Sequence, residues 1–173
     1  NASANKPTLK KADMESAWEV VKHLCGVSDD EIESDEDQER LEEVYVKWST
    51  AGKKLQKVPL DFAFENFKVQ DHDRRIKPSQ LNNPIIVGDL GKQEYIVLDG
   101  NHRLLTFAEQ ENPPDKIWVY LIDFKWAKDY DADAVDGFYI AEGSLRQSSS
   151  SFESLYTPDE GRKGFYKTES KAL

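Results

Sequence analysis

Tyr95-Ile96-Val97-Leu98-Asp99-Gly100-Asn101-His102-Arg103-Leu104-Leu105 is the stretch from which this chain can be read outward. Tyr95 to Leu98 are aromatic, β-branched or aliphatic, a composition that favours a buried strand. Asp99-Gly100 breaks that run, and Leu104, Leu105, Phe107 and Ala108 then recur at helical spacing until Asn112-Pro113-Pro114 stops the pattern. A strand is thus expected to turn at Gly100 directly into a helix whose first turn carries Asn101, His102 and Arg103. Backbone N–H groups, the positive end of the helix dipole, an imidazole and a guanidinium converge there, which suits an anion and most simply a phosphate. An arginine opposes the dipole at a helix N-terminus, so something other than helix propensity is expected to hold Arg103. A purely architectural alternative also fits: Asp99 caps the helix and Arg103 pairs with a carboxylate.

Further strands are expected over Val58–Ala63, Pro84–Val87 and Ile117–Ile122, with Gly88–Gln93 turning the second into Tyr95–Leu98 as a hairpin. Upstream the period is helical. Met14, Ala17, Trp18, Val21, Leu24 and Cys25 form one stripe between Asp13 as N-cap and Gly26 as C-cap, and Leu41, Val44, Tyr45 and Trp48 form another. Ser34 and Asp37 resemble a capping box for that second helix. Aromatic stripes of this kind are read as core, so Met14, Trp18, Tyr45 and Trp48 are expected to pack inward. The expectation is an α+β fold: a flexible arm over 1–11, a helical extension over 12–56, a core over 57–145 with a further helix near Ala132–Ala141, and a polar tail over 146–173. No internal repeat is found.

The 173 residues include 19 aromatics and are 38% hydrophobic, enough to build one core. No apolar run approaches the ~20 residues of a membrane helix, and one cysteine, Cys25, makes neither an internal disulfide nor a thiolate cluster. A cytoplasmic protein without membrane contact is expected. The net charge of −10 is uneven: Ser28 to Glu43 hold ten acids against Arg40, while outside that window 23 acids face 22 bases. The acidity therefore belongs to one segment and does not exclude an anionic ligand on the near-neutral remainder.

The run Ile76-Lys77-Pro78-Ser79, then Pro84-Ile85-Ile86-Val87, then Val97 to Leu104 resembles the ParB/sulfiredoxin superfamily in order, over about residues 58–123. The resemblance implies a small curved mixed sheet with flanking helices, preceded here by two family-external helices. It implies a nucleotide held by its phosphates: CTP in partition proteins, ATP in sulfiredoxins, ATP or ADP in free-serine kinases. Gly100, Asn101, His102 and Arg103 would form the phosphate-binding element, with Mg²⁺ arriving on the nucleotide and no protein metal site. Asp99, His102 and Glu65 fall in catalytic roles, Asp99 orienting a small-molecule or protein phosphoryl acceptor. Asn101 stands where sulfiredoxin has its catalytic cysteine, which argues against sulfinic-acid repair, and the 50 residues after Asp123 show no helix-turn-helix pair for DNA.

The resulting expectation is nucleotide-phosphate binding with NTP hydrolysis or phosphoryl transfer. Its rivals are a ParB-like nuclease and a non-catalytic, nucleotide-dependent regulatory module. Weak or no nucleic-acid binding is expected. Asp71-His72-Asp73-Arg74-Arg75 reads as a solvated turn or a phosphate-reaching loop, and Lys163, Tyr166 and Lys167 as a solvated tail.

Overall fold

The computed structural model describes residues 6–70, 81–127 and 137–143. In chain order it contains α1 (Lys11–Leu24), a 3-10 turn (Asp29–Glu31), α2 (Asp35–Thr50), β1 (Lys53–Pro59), α3 (Leu60–Asn66), β2 (Phe67–Gln70), β3 (Ile85–Gly91), β4 (Glu94–Asp99), α4 (Asn101–Glu109), β5 (Lys116–Asp123), β6 (Gly137–Tyr139) and α5 (Ile140–Gly143). The strands form one mixed six-stranded sheet in the order β1-β5-β3-β4-β2-β6. β3 is parallel to β5 and β4 to β2, while β1/β5, β3/β4 and β2/β6 are antiparallel. The fold is α+β, as the alternation of strand and helix texture predicts.

Residue alternation along the central strands sorts side chains onto two faces, and both are covered. Ile85, Val87, Val97, Val119 and Phe67 pack with Leu60, Phe64, Leu104, Leu105 and Phe107 of α3 and α4. Ile86, Ile96, Leu98, Ile122 and Phe124 pack with Ala17, Val21, Leu24, Val44 and Trp48 of α1 and α2. The N-terminal helices are therefore one layer of the same domain, and the expected boundary at 56/57 falls inside β1. Of the aromatic stripe, Trp48 is buried, Trp18 half-buried, and Tyr45 is 52% exposed in edge contact with Trp18 at 5.3 Å. Core packing thus holds for Trp48 and not for Tyr45.

Several boundaries differ from the sequence expectation for identifiable reasons. The strand placed at Val58–Ala63 is instead the end of β1 followed by α3, because Leu60, Ala63 and Phe64 repeat at helical spacing and all bury. β1 itself is an edge strand carrying Lys53, Lys54 and Lys57, the charges that keep an edge from pairing and that hide its period. The expected connection Gly88–Gln93 is mostly strand; the turn is only Lys92-Gln93, both at positive φ (58° and 63°), the two-residue geometry of a type I′ hairpin. α1 starts two residues before Asp13, with Lys10 in the cap position. Ser34 Oγ accepts from the Asp37 N–H at 3.2 Å, while Asp37 reaches back to the Glu33 N–H at 2.9 Å, one residue upstream of the expected reciprocal partner. Within the helix expected near Ala132–Ala141, Gly137–Tyr139 instead pairs with β2, while Ile140 and Ala141 open α5. A Cβ at Gly137 would lie 2.7 Å from the Val69 carbonyl oxygen, so that glycine serves close strand pairing. Residues 132–136 of that expected helix, the arm over 1–5, Asp71 to Ser79 and the tail over 146–173 lie outside the described residues.

Candidate functional site

Asp99 ends β4 opposite Ile86, and the register slips just before it. Val97 pairs with Val87, but Asp99 pairs with Ile86, which leaves Leu98 as an extra residue on β4. Leu98 packs in the α1/α2 core, as Ile96 does two residues earlier, while Asp99 meets Arg103 of α4. Gly100 then takes φ +107°, a left-handed conformation open to glycine, and serves as the N-cap of α4 without a side-chain cap bond. A Cβ there would meet Arg103 Nη2 at 3.0 Å and Ile85 Cγ1 at 3.1 Å, so the glycine also clears room for the guanidinium.

Arg103 is 6% exposed. Its Nη2 donates to Asp99 Oδ2 at 2.9 Å and to the Pro84 carbonyl at 3.2 Å, tying the start of α4 to the end of β4 and the approach to β3. These two acceptors are what hold an arginine against the helix dipole. The i, i+4 spacing of Asp99 and Arg103 was the sequence signal for the pair; the Pro84 carbonyl had none. The Asp99–Arg103 pair supplies the carboxylate pairing of the architectural alternative, and Arg103 is first a positioning group. Removing one partner of so buried a pair typically costs ~3–5 kcal/mol. The guanidinium is not fully satisfied, however: Arg103 Nε is buried and makes no hydrogen bond among the described residues. It lies 3.3 Å from the position a Gly100 Cβ would take.

Of the first-turn side chains, Asn101 is buried at 5% exposure, while His102 is half-buried with its Nε2 enclosed. Thr106 Oγ1 donates to the His102 carbonyl at 2.7 Å, bracing that turn. Gly100, Asn101, His102, Arg103 and Asp99 are thus brought together on one turn. Glu65 is not. It is exposed near the end of α3, two residues before Phe67, which pairs with Tyr95. Tyr95 and Asp99 are four strand residues apart, about 13 Å, so Glu65 sits near the opposite end of β4. Cys25 is buried beneath the other sheet face.

The helix start, one imidazole and a buried guanidinium N–H without a hydrogen bond among the described residues make a donor set with the chemistry to take an anion such as phosphate. Among the described residues no three His, Cys, Asp or Glu side chains gather as a metal-ion cluster. No helix among them is long and apolar enough to cross a membrane. Comparison with known proteins finds no match to any family model, any curated protein or any solved structure.

Proposed function

We propose that the protein binds a nucleotide through its phosphates at the β4–α4 turn, in the manner of the ParB/sulfiredoxin superfamily that the motif resembles. The observation that carries the reading is the buried Nε of Arg103, without a hydrogen bond among the described residues, beside a left-handed glycine that opens a helix. A buried N–H without an acceptor is costly, and an anionic oxygen at the turn would satisfy it. Phosphate oxygens would take the N–H groups of the first turn of α4, His102 would contact them from the solvent side, and Arg103 would neutralise charge. Mg²⁺ arriving with the nucleotide would supply further charge neutralisation.

Hydrolysis or transfer of the terminal phosphoryl group is the catalytic form of this reading. It requires Asp99, whose Oδ2 is engaged by Arg103, to face an acceptor in the bound state. Asp99→Asn should then keep nucleotide and lose most turnover, since the amide cannot accept a proton. The Asp99–Arg103 pairing favours a second reading, a non-catalytic module in which nucleotide exchange at the turn is the signal. Thermal-shift measurements with ATP, ADP, CTP and GTP, with and without Mg²⁺, test the shared core of both. A ligand at 100 times its dissociation constant adds ~2.7 kcal/mol of stability, and no shift with any of the four would refute nucleotide binding.

A further inference from the structure

β1 closes one side of the sheet, and among the described residues no strand pairs with its outer edge. In an antiparallel ladder, alternate residues turn both backbone groups toward the partner strand and those between turn them away. Asp123 donates its N–H to the Gly52 carbonyl at 2.9 Å and Leu60 donates its N–H to the Asp115 carbonyl at 2.8 Å, both continuing the β1/β5 register. Even-numbered residues of β1 therefore bond β5, while Lys53, Leu55 and Lys57 direct their N–H and C=O groups outward. Pro59, next in that series, has no N–H to offer and ends it. The row is accessible, because Lys53, Lys54 and Lys57 are exposed and Leu55 is only half-buried.

An open row of this kind is a template for another strand, and its side chains decide which one. β1 carries three lysines and no acid in a chain of net charge −10. Lys53 Nζ donates to the carbonyls of Trp48, Ser49 and Ala51 at 3.4, 3.3 and 3.0 Å, which braces the start of the strand against the end of α2. Lys54 and Lys57 are left to set the charge presented along the edge. Two such edges paired antiparallel about Leu55 would oppose lysine to lysine, so a second copy is disfavoured. The same charges favour an acidic strand. We propose that β1 is a docking edge for an extended acidic segment of another protein, which adds to the six-stranded sheet as a further strand. Lys53, Leu55 and Lys57 share one face by alternation, so the matching segment places an apolar residue opposite Leu55 and carboxylates two positions to either side. Docking here requires no ligand at the β4–α4 turn.

Fluorescence anisotropy of the full chain with a labelled, capped peptide bearing a Glu-Thr-Val-Thr-Glu core, and with its Lys-Thr-Val-Thr-Lys counterpart, tests this. The acidic peptide should bind roughly tenfold tighter at low salt and lose that margin as salt is raised. On binding, the amides of Lys53, Leu55 and Lys57 should become protected from hydrogen exchange, joining those of Lys54, Gln56 and Val58. Leu55→Pro removes the central outward N–H at a position where an edge strand tolerates proline. It should weaken the acidic peptide roughly tenfold in a chain that still unfolds cooperatively in urea. Lys57→Glu reverses an exposed charge and leaves the backbone alone; it should shrink the margin between the two peptides severalfold, and it decides the matter should Leu55→Pro fail to fold. Equal binding of the two peptides by the wild-type chain, an unchanged margin in Lys57→Glu, or slow exchange of the Lys53, Leu55 and Lys57 amides in the free chain would overturn the proposal. Undiminished acidic-peptide affinity in a folded Leu55→Pro would reduce the lysines to a general anion patch and overturn it equally.

Discussion

Arg103 Nη2 lies 2.9 Å from Asp99 Oδ2, and the two side chains are only 7% and 13% exposed, so the last residue of β4 and the first turn of α4 are bound by a nearly dry ion pair. The strand-to-helix turn is therefore fixed before any ligand arrives, and the energetics of this pair govern both the fold and the site.

Asp99→Ala leaves the Arg103 charge buried with only the Pro84 carbonyl as acceptor. We expect a loss of ~3–5 kcal/mol in urea unfolding, with Asp99→Asn losing less because an amide oxygen still accepts. A loss below ~1 kcal/mol would place the pair in the class of solvated surface ion pairs.

Gly100→Ala forces an alanine to φ +107° and drives its Cβ toward Arg103 Nη2 and Ile85. A cost of ~1–3 kcal/mol is expected from backbone strain alone. Displacing the guanidinium should also weaken tripolyphosphate binding, measured by calorimetry. A variant as stable as wild type would show that the turn relaxes to another conformation.

Much of this turn was legible in the sequence because β-branched residues, a glycine and a helical stripe follow one another without ambiguity between Tyr95 and Ala108. α2 was legible for the same reason, with Ser34 capping it. The lysine-rich edge strand β1 was not, since charges that protect an edge also erase alternation. β2, four residues from Phe67 to Gln70, is too short to carry a period of its own. The direction in which Arg103 points was also hidden, because its choice between ligand and protein acceptors depends on the Leu98 bulge and on Pro84, 19 residues upstream. Glu65 was placed by order in the chain alone, and the sheet register carries it to the far end of β4.

Lys22, in the last turn of α1, is buried and pairs with Glu19 at 3.1 Å and Asp29 at 3.5 Å. Burial by itself lowers its pKa, but the hydrogen bonds and charges of Glu19 and Asp29 together outweigh that and raise it above the ordinary 10.5. A lysine raised on folding contributes stability in full below its unfolded pKa and loses it as pH rises through the folded value. Urea midpoints for wild type should therefore fall more steeply above pH ~10.5 than those of Lys22→Met. Parallel alkaline slopes in the two proteins would contradict the assignment.

Nucleic acid should bind weakly at ~0.15 M salt. The ten acids between Ser28 and Glu43 repel a polyanion that comes within the ~8 Å Debye length of them, and Arg103, on the first turn of α4, is buried and paired. Mobility shifts and a metal-supplemented cleavage assay on single- and double-stranded DNA measure this. Tight binding, with cleavage abolished by His102→Ala, would favour the nuclease reading.

Phosphate capture at the β4–α4 turn is tested most directly by following backbone amide resonances while ATP, and separately tripolyphosphate, is titrated into the labelled chain. The account predicts that the amides of Asn101, His102 and Arg103 shift most with both ligands, together with the Arg103 Nε–H, while amides of α1 and α2 remain in place. Saturating nucleotide that leaves those four N–H signals unmoved, or that moves a different set, would contradict it.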